Sequence, residues 1–185
     1  MVFEGNASDT VLKLTIDRIA YEMIGDCVTR VDENNPHFTK VVNRFGNLGP
    51  VLLRNGSGVR SAYAFECERL HKVSGNAKSL ARRIQSETVT KFKEYLQRDP
   101  CHEVHLACVR ALEDQSRCYS GDLGEAFDSL VTFLSNFPEG ITDFHNDNFM
   151  QRSDGTLVFS DPFADIETYL GYRRGDYQHS RAFRQ

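Results

Sequence analysis

Ser153-Asp154-Gly155 stands between two largely apolar runs, Phe149-Met150-Gln151-Arg152 and Thr156-Leu157-Val158-Phe159. Asp-Gly in that setting marks a tight β-hairpin, and this hairpin constrains the chain more than any other local signal. A hairpin returns on itself, so the residues before it come to lie beside the residues after it. Before it stands Ile141-Thr142-Asp143-Phe144-His145-Asn146-Asp147-Asn148, which packs two carboxylates, two amides and an imidazole into one loop. After it stands Ser160-Asp161-Pro162-Phe163. The return brings Asp161 back beside Asn148.

Around this centre the periodicities give a coarse outline. Leu12, Ile16, Ile19, Met23, Cys27 and Val31 recur every three or four residues behind Asp9, a plausible N-cap, and predict a helix over residues 9 to 31. Val51-Leu52-Leu53, Asn55-Gly56-Ser57-Gly58 and Ala62-Tyr63-Ala64-Phe65 read as strand, turn and strand, with a third strand around Arg69 to Val73. Residues 78 to 97 predict a helix ended by Asp99-Pro100, Val104 to Ala111 a strand, and Asp122 to Leu134 a further helix. The fold class is α+β.

At 185 residues the chain suits one domain. Lys+Arg 22 against Asp+Glu 26 leaves a formal charge of −4, which argues against a globally basic nucleic-acid binder. No apolar run is long enough to span a bilayer, so no membrane partner is expected. Glu4, Asn6, Ser8 and Asp9 break up the N-terminal stretch where a signal peptide would need an apolar segment. Cys27, Cys67, Cys101, Cys108 and Cys118 are odd in number, scattered and never in a C-x-x-C pair, which excludes a disulfide framework and points to a reducing, cytoplasmic setting.

The polar cluster carries the chemistry. Oxygen ligands from Asn148 and Asp161 suit a hard Mg²⁺ ion bearing substrate phosphates. Asp143 stands nearby as an acceptor for a hydroxyl proton.

Asp143, Asn148 five positions later and Asp161 thirteen beyond that, with a hairpin between, resemble the catalytic and metal-binding loops of protein kinase-like phosphotransferases. The D-x-H-x-x-N form of the loop (Asp143, His145, Asn148) and Pro162 after the second Asp are similar to the early protein kinases of short-tailed bacteriophages. Aminoglycoside and other small-molecule kinases share the D-x-H form. The resemblance implies a compact two-lobed kinase-like fold with a reduced C-terminal lobe, ATP and Mg²⁺ as cofactors, and transfer to a Ser or Thr hydroxyl. It further implies Gly56, Gly58 and Ser61 as a phosphate-covering loop, with His145 beside the nucleotide. Lys72 would be the phosphate-gripping lysine, held by Glu87 or alternatively Glu94. Val109 to Glu113 would be the hinge that meets adenine. The whole of 1-185 would be one kinase-like domain: residues 1-47 a helical extension, 48-111 a small sheet lobe with one helix, and 112-185 a cut-down lobe with a basic tail.

Ile141-Thr142 replaces the His-Arg of many protein kinases, so no arginine before the base receives an activation-loop phosphate. The expected partner is a host protein acted on during host takeover, in the bacterial cytoplasm. A kinase-shaped inhibitor of a host protein and a small-molecule kinase are the alternatives. A reduced lobe would expose apolar surface, so pairing into a homo-oligomer is a further expectation.

Overall fold

The computed structural model describes residues 1–30, 34–52, 58–98 and 104–167. The chain is mixed α+β. Four antiparallel strands form the main sheet in the order β1-β2-β4-β3: β1 (Val2–Glu4), β2 (Thr10–Thr15), β4 (Val59–Glu68) and β3 (Val41–Leu52). Helix α1 (Arg18–Arg30) leaves the end of β2. Beyond the sheet, β5 (His71–Lys72) leads into α2 (Gly75–Arg98), α3 (Val104–Cys118) and α4 (Gly121–Ser135). Then follow β6 (Gly140–Thr142), a 3-10 turn over Asn146–Asn148, the hairpin β7 (Phe149–Gln151) and β8 (Leu157–Phe159), and β9 (Phe163–Asp165). Among the described residues no helix is long and apolar enough to cross a membrane.

Two expectations are corrected by backbone pairing. The helix expected over 9 to 31 begins only at Arg18, because Thr10 to Thr15 pair residue for residue with Glu68 to Tyr63 of β4. Leu12 and Ile16 fit a helical repeat, but Thr-Val-Leu-Lys-Leu-Thr also alternates, and the neighbouring strand decides the contest. Asp17 rather than Asp9 caps the helix, its Oδ1 accepting the Ala20 N–H at 3.0 Å. The stretch expected as a helical extension, residues 1-47, thus holds β1, β2 and the start of β3 beside the single helix α1.

The strand expected at Val104 to Ala111 lies in α3. Val104 and Leu106, which suggested alternation, are exposed, while His105, Cys108, Leu112 and Gln115 form a buried face at intervals of three and four. The adenine hinge expected at Val109 to Glu113, and the lobe boundary drawn at 111, fall inside that helix. The main sheet ends with β4 at Glu68, and α2, α3 and α4 follow from Gly75. The helices expected at 78–97 and 122–134 and the hairpin stand where the periodicity put them.

The core is aromatic beneath the polar loop. Phe159 stacks against Phe144 at 5.7 Å, meets Phe127 edge-on at 5.4 Å and packs against Phe149 at 5.7 Å. Phe163 stacks on Phe133 at 5.4 Å. Residues on both sides of the hairpin are thus anchored from below.

Arg152, at the end of β7, ties this region to the sheet. Its Nε and Nη2 donate to the two carboxylate oxygens of Glu68 at 3.0 and 2.6 Å, Nη2 also to the Phe38 carbonyl at 2.9 Å, and Nη1 to the Pro36 carbonyl. A fork of donors facing a carboxylate is the geometry arginine is built for.

Candidate functional site

The short ladder between β6 and β9 fixes the site. Thr142 pairs with Phe163, and the Asp143 N–H donates to the Pro162 carbonyl at 2.8 Å. The loop holding Asp143 is thereby stitched to the residue after Asp161. From the other side, the Ser160 N–H and Oγ both donate to the Asn148 carbonyl at 3.0 Å. Asn148 is buried, and its Nδ2 donates to the Asp143 carbonyl at 2.8 Å and to Asp143 Oδ2 at 3.1 Å. Asp143, Asn148 and Asp161 are brought into one neighbourhood.

His145 heads the 3-10 turn. Its Nδ1 accepts the Asp147 N–H at 3.3 Å, and its Nε2 lies 3.5 Å from Asp143 Oδ2. The Asp143 carboxylate raises the imidazole's pKa above the ordinary histidine value, against the opposing pull of partial burial. The residue is half exposed and braces the carboxylate of Asp143.

A residue outside the sequence-based set completes the group. Lys13, from β2, reaches across to Asp161 with Nζ 2.7 Å from Oδ2, and also lies 3.4 Å from the Ser160 carbonyl. Its ammonium stands 5.8 Å from the centre of the Phe65 ring. The other oxygen of Asp161, Oδ1, is buried and no described donor reaches it. A buried carboxylate oxygen without a donor is costly in a folded protein, and a hydrogen-bond donor or a cation would relieve it. The donor set is of the kind a hard ion takes: Asp161 Oδ1 has no described donor, and Asn148, having committed its amide nitrogen to Asp143, has its side-chain carbonyl oxygen to offer as a second oxygen. No cluster of three or more His, Cys, Asp or Glu suited to a metal occurs among the described residues, so any such ion would rely on Asn148 and on ligands from substrate or water.

Lys72 and Glu87 are not brought together. Lys72 is exposed on β5, opposite Met150 of β7. Glu87 accepts from the Tyr119 hydroxyl at 3.3 Å, and Glu94 from Lys91 at 3.1 Å. Neither glutamate holds Lys72. The lysine that meets the candidate metal ligand is Lys13, and the mistaken helix hid it. On a helix it falls on the polar face, whereas in Val-Leu-Lys-Leu-Thr on a strand it is a lone cation flanked by apolar residues.

Gly56 lies outside the described residues, as do the arginines of the basic tail (Arg173, Arg174, Arg181, Arg184). Gly58 precedes β4 with φ 143°, a conformation suited to glycine. Ser61 pairs with Pro50 and lines a shallow cleft with Ile16, Arg18, Arg60, Tyr63 and Asp165. Cys67, Cys108 and Cys118 are unpaired. Comparison with protein-family models, curated proteins and solved structures finds no match.

Proposed function

We propose that this chain is an ATP- and Mg²⁺-dependent phosphotransferase with a compact kinase-like, two-lobed fold and a reduced C-terminal lobe, acting on a Ser or Thr hydroxyl of a bacterial host protein. The observation that carries the reading is Asp161: one carboxylate oxygen held by a lysine of the main sheet, the other buried without a described donor, next to an asparagine that orients Asp143. When bound, magnesium would neutralise phosphate charge. Asn148 and Asp161 are the residues to hold it, and Lys13, in place of Lys72, is the residue to grip phosphate. Asp143, its Oδ2 steadied by the Asn148 amide and His145, takes the proton of the acceptor hydroxyl. Catalysis of this kind is mainly positioning and charge neutralisation.

The test is thermal unfolding with and without Mg·ATP. The wild type and Lys72→Ala should both gain stability, by about 2.7 kcal/mol at a hundredfold excess over Kd. Asp161→Ala and Lys13→Ala should not. Asp143→Asn should keep the gain and lose phosphoryl transfer to host proteins. A wild type indifferent to Mg·ATP sinks the reading.

One observation favours a second reading, a kinase-shaped protein that binds and inhibits a host protein without catalysis. Val42, Phe45, Leu48 and Leu52 are exposed along β3, a stretch of apolar surface of the kind that protein partners cover. Under it, Phe45→Asp should abolish partner binding and Asp161→Ala should leave it intact.

A further inference from the structure

Two cross-links join the segment 13–17 to the segment 161–165, and they are evenly spaced. Lys13 meets Asp161, and four residues on in each segment Asp17 Oδ2 accepts the Asp165 N–H at 3.0 Å. The second link is rigid at both ends. Asp17 Oδ1 holds the first turn of α1 through the Ala20 N–H, and the Asp17 N–H donates to Thr15 Oγ1 at 3.0 Å. Asp165 ends β9, which is paired to β6 and anchored by the stacked Phe163. An ordinary N-cap needs one oxygen. Asp17 uses both, and the second goes to the strand that leads back to Asp161.

We propose that Asp17 is a positioning residue that sets the separation of Lys13 and Asp161, and with it the affinity of the site for a magnesium nucleotide. The inference rests on the phosphotransferase reading and goes beyond it by assigning control of the site to a residue that touches neither phosphate nor cation.

The surroundings give the latch a pH dependence. The charged groups that act on Asp17 are Asp161, itself paired with Lys13, and Asp165, while the adjacent Arg18 is paired with Glu139. Burial, chiefly, raises the Asp17 pKa to about 6, with the two aspartates adding to the rise and the two N–H donors opposing it. Protonation leaves one good acceptor oxygen where two are needed, so the link opens as pH falls through that value.

The decisive variant is Asp17→Ser, whose single hydroxyl can cap α1 but cannot also reach Asp165. Hydrogen exchange of the Asp165 amide should accelerate at least tenfold while the Ala20 amide stays protected. At pH 7.5 the Mg·ATP dissociation constant should rise about tenfold. The ratio of variant to wild-type constants, from which the nucleotide's own titration cancels, should fall towards one at pH 5. Faster exchange at Asp165 with an unchanged Mg·ATP constant overturns the proposal and leaves Asp17 a cap. A ratio that is elevated but independent of pH also overturns it, since a general loosening of the fold would do the same. No binding of Mg·ATP by the wild type removes the phosphotransferase reading itself, and the latch with it.

Discussion

Two carboxylates sit at opposite ends of the chemistry of this molecule. Glu66, in the middle of the sheet, is 2% exposed and saturated. Thr10 Oγ1 donates to it at 2.6 Å, the Asn6 N–H at 2.6 Å, Asn6 Nδ2 at 3.0 Å and Asn43 Nδ2 at 2.9 Å. These donors, Thr10 first among them, pull its pKa down to about 2. Its demands also shape the backbone nearby. A Cβ at Gly5 would stand 2.1 Å from Thr10 Oγ1 and 2.8 Å from Glu66 Oε1, so only glycine fits there. Asp161, at the junction of sheet and hairpin, has one lysine and an empty oxygen. A saturated buried carboxylate holds strands together, and an unsaturated one is left able to bind.

The sharpest way to break this comparison is to neutralise each group in turn. Asp161→Asn should abolish the Mg·ATP-dependent rise in melting temperature while changing the free protein by about 1 kcal/mol or less, since its ion pair is partly solvated. Glu66→Gln should do the opposite, keeping nucleotide binding and lowering melting temperature. Its stabilisation is present above pH about 4.5 and is lost as pH falls through about 2, so urea unfolding from pH 2 to 5 should show a flattened acid limb in the variant. If both variants lose only stability, the contrast is false.

Next in size is Arg152→Ala, which leaves two carbonyls without their donor and Glu68, among its described donors, with only the Lys40 N–H. Chemical denaturation should show a loss of about 3 kcal/mol. Asp17→Asn follows. With the folded-state pKa raised, the neutral carboxyl is the form the fold prefers. Wild-type stability should therefore fall by about 2 to 3 kcal/mol as pH rises from near 4 through about 6, and the variant should lack that slope. The fold is thus more stable with Asp17 neutral, whereas the proposed latch needs it ionised. Smallest is His145→Gln. The raised pKa of His145 gives stabilisation that is full below its unfolded value near 6.5 and lost as pH rises through the folded value. Because the ring is half exposed, the variant should shift stability by under about 0.5 kcal/mol, measured at pH 6 and pH 8.5.

The parts of the fold legible in the sequence are those decided locally. The Asp154-Gly155 turn and the apolar faces of α2 and α4 each carry their instruction within a few residues, and Asp143, Asn148 and Asp161 followed because a hairpin leaves its ends little choice. The misread parts were decided by distant neighbours. Thr10 to Thr15 is a strand because β4 pairs with it from 48 to 58 residues away, and no local periodicity reports that. Lys13 was lost with that strand. In α3 two exposed apolar side chains imitated alternation, while its buried face carries a histidine and a glutamine that a hydrophobicity reading passes over.

The register of β3 against β4 skips Val42, Phe45 and Leu48 in turn, each an extra residue at a bulge, with Gly46 at φ 78° and Gly49 at φ 99° following two of them. An approaching extended strand repeats every two residues, whereas this edge interrupts the ladder every three, and Pro50 withholds one donor altogether. The apolar side chains are therefore displayed on an edge that is a poor template for lengthening the sheet. A partner could grasp those side chains, but a misfolded neighbour would find little backbone to follow.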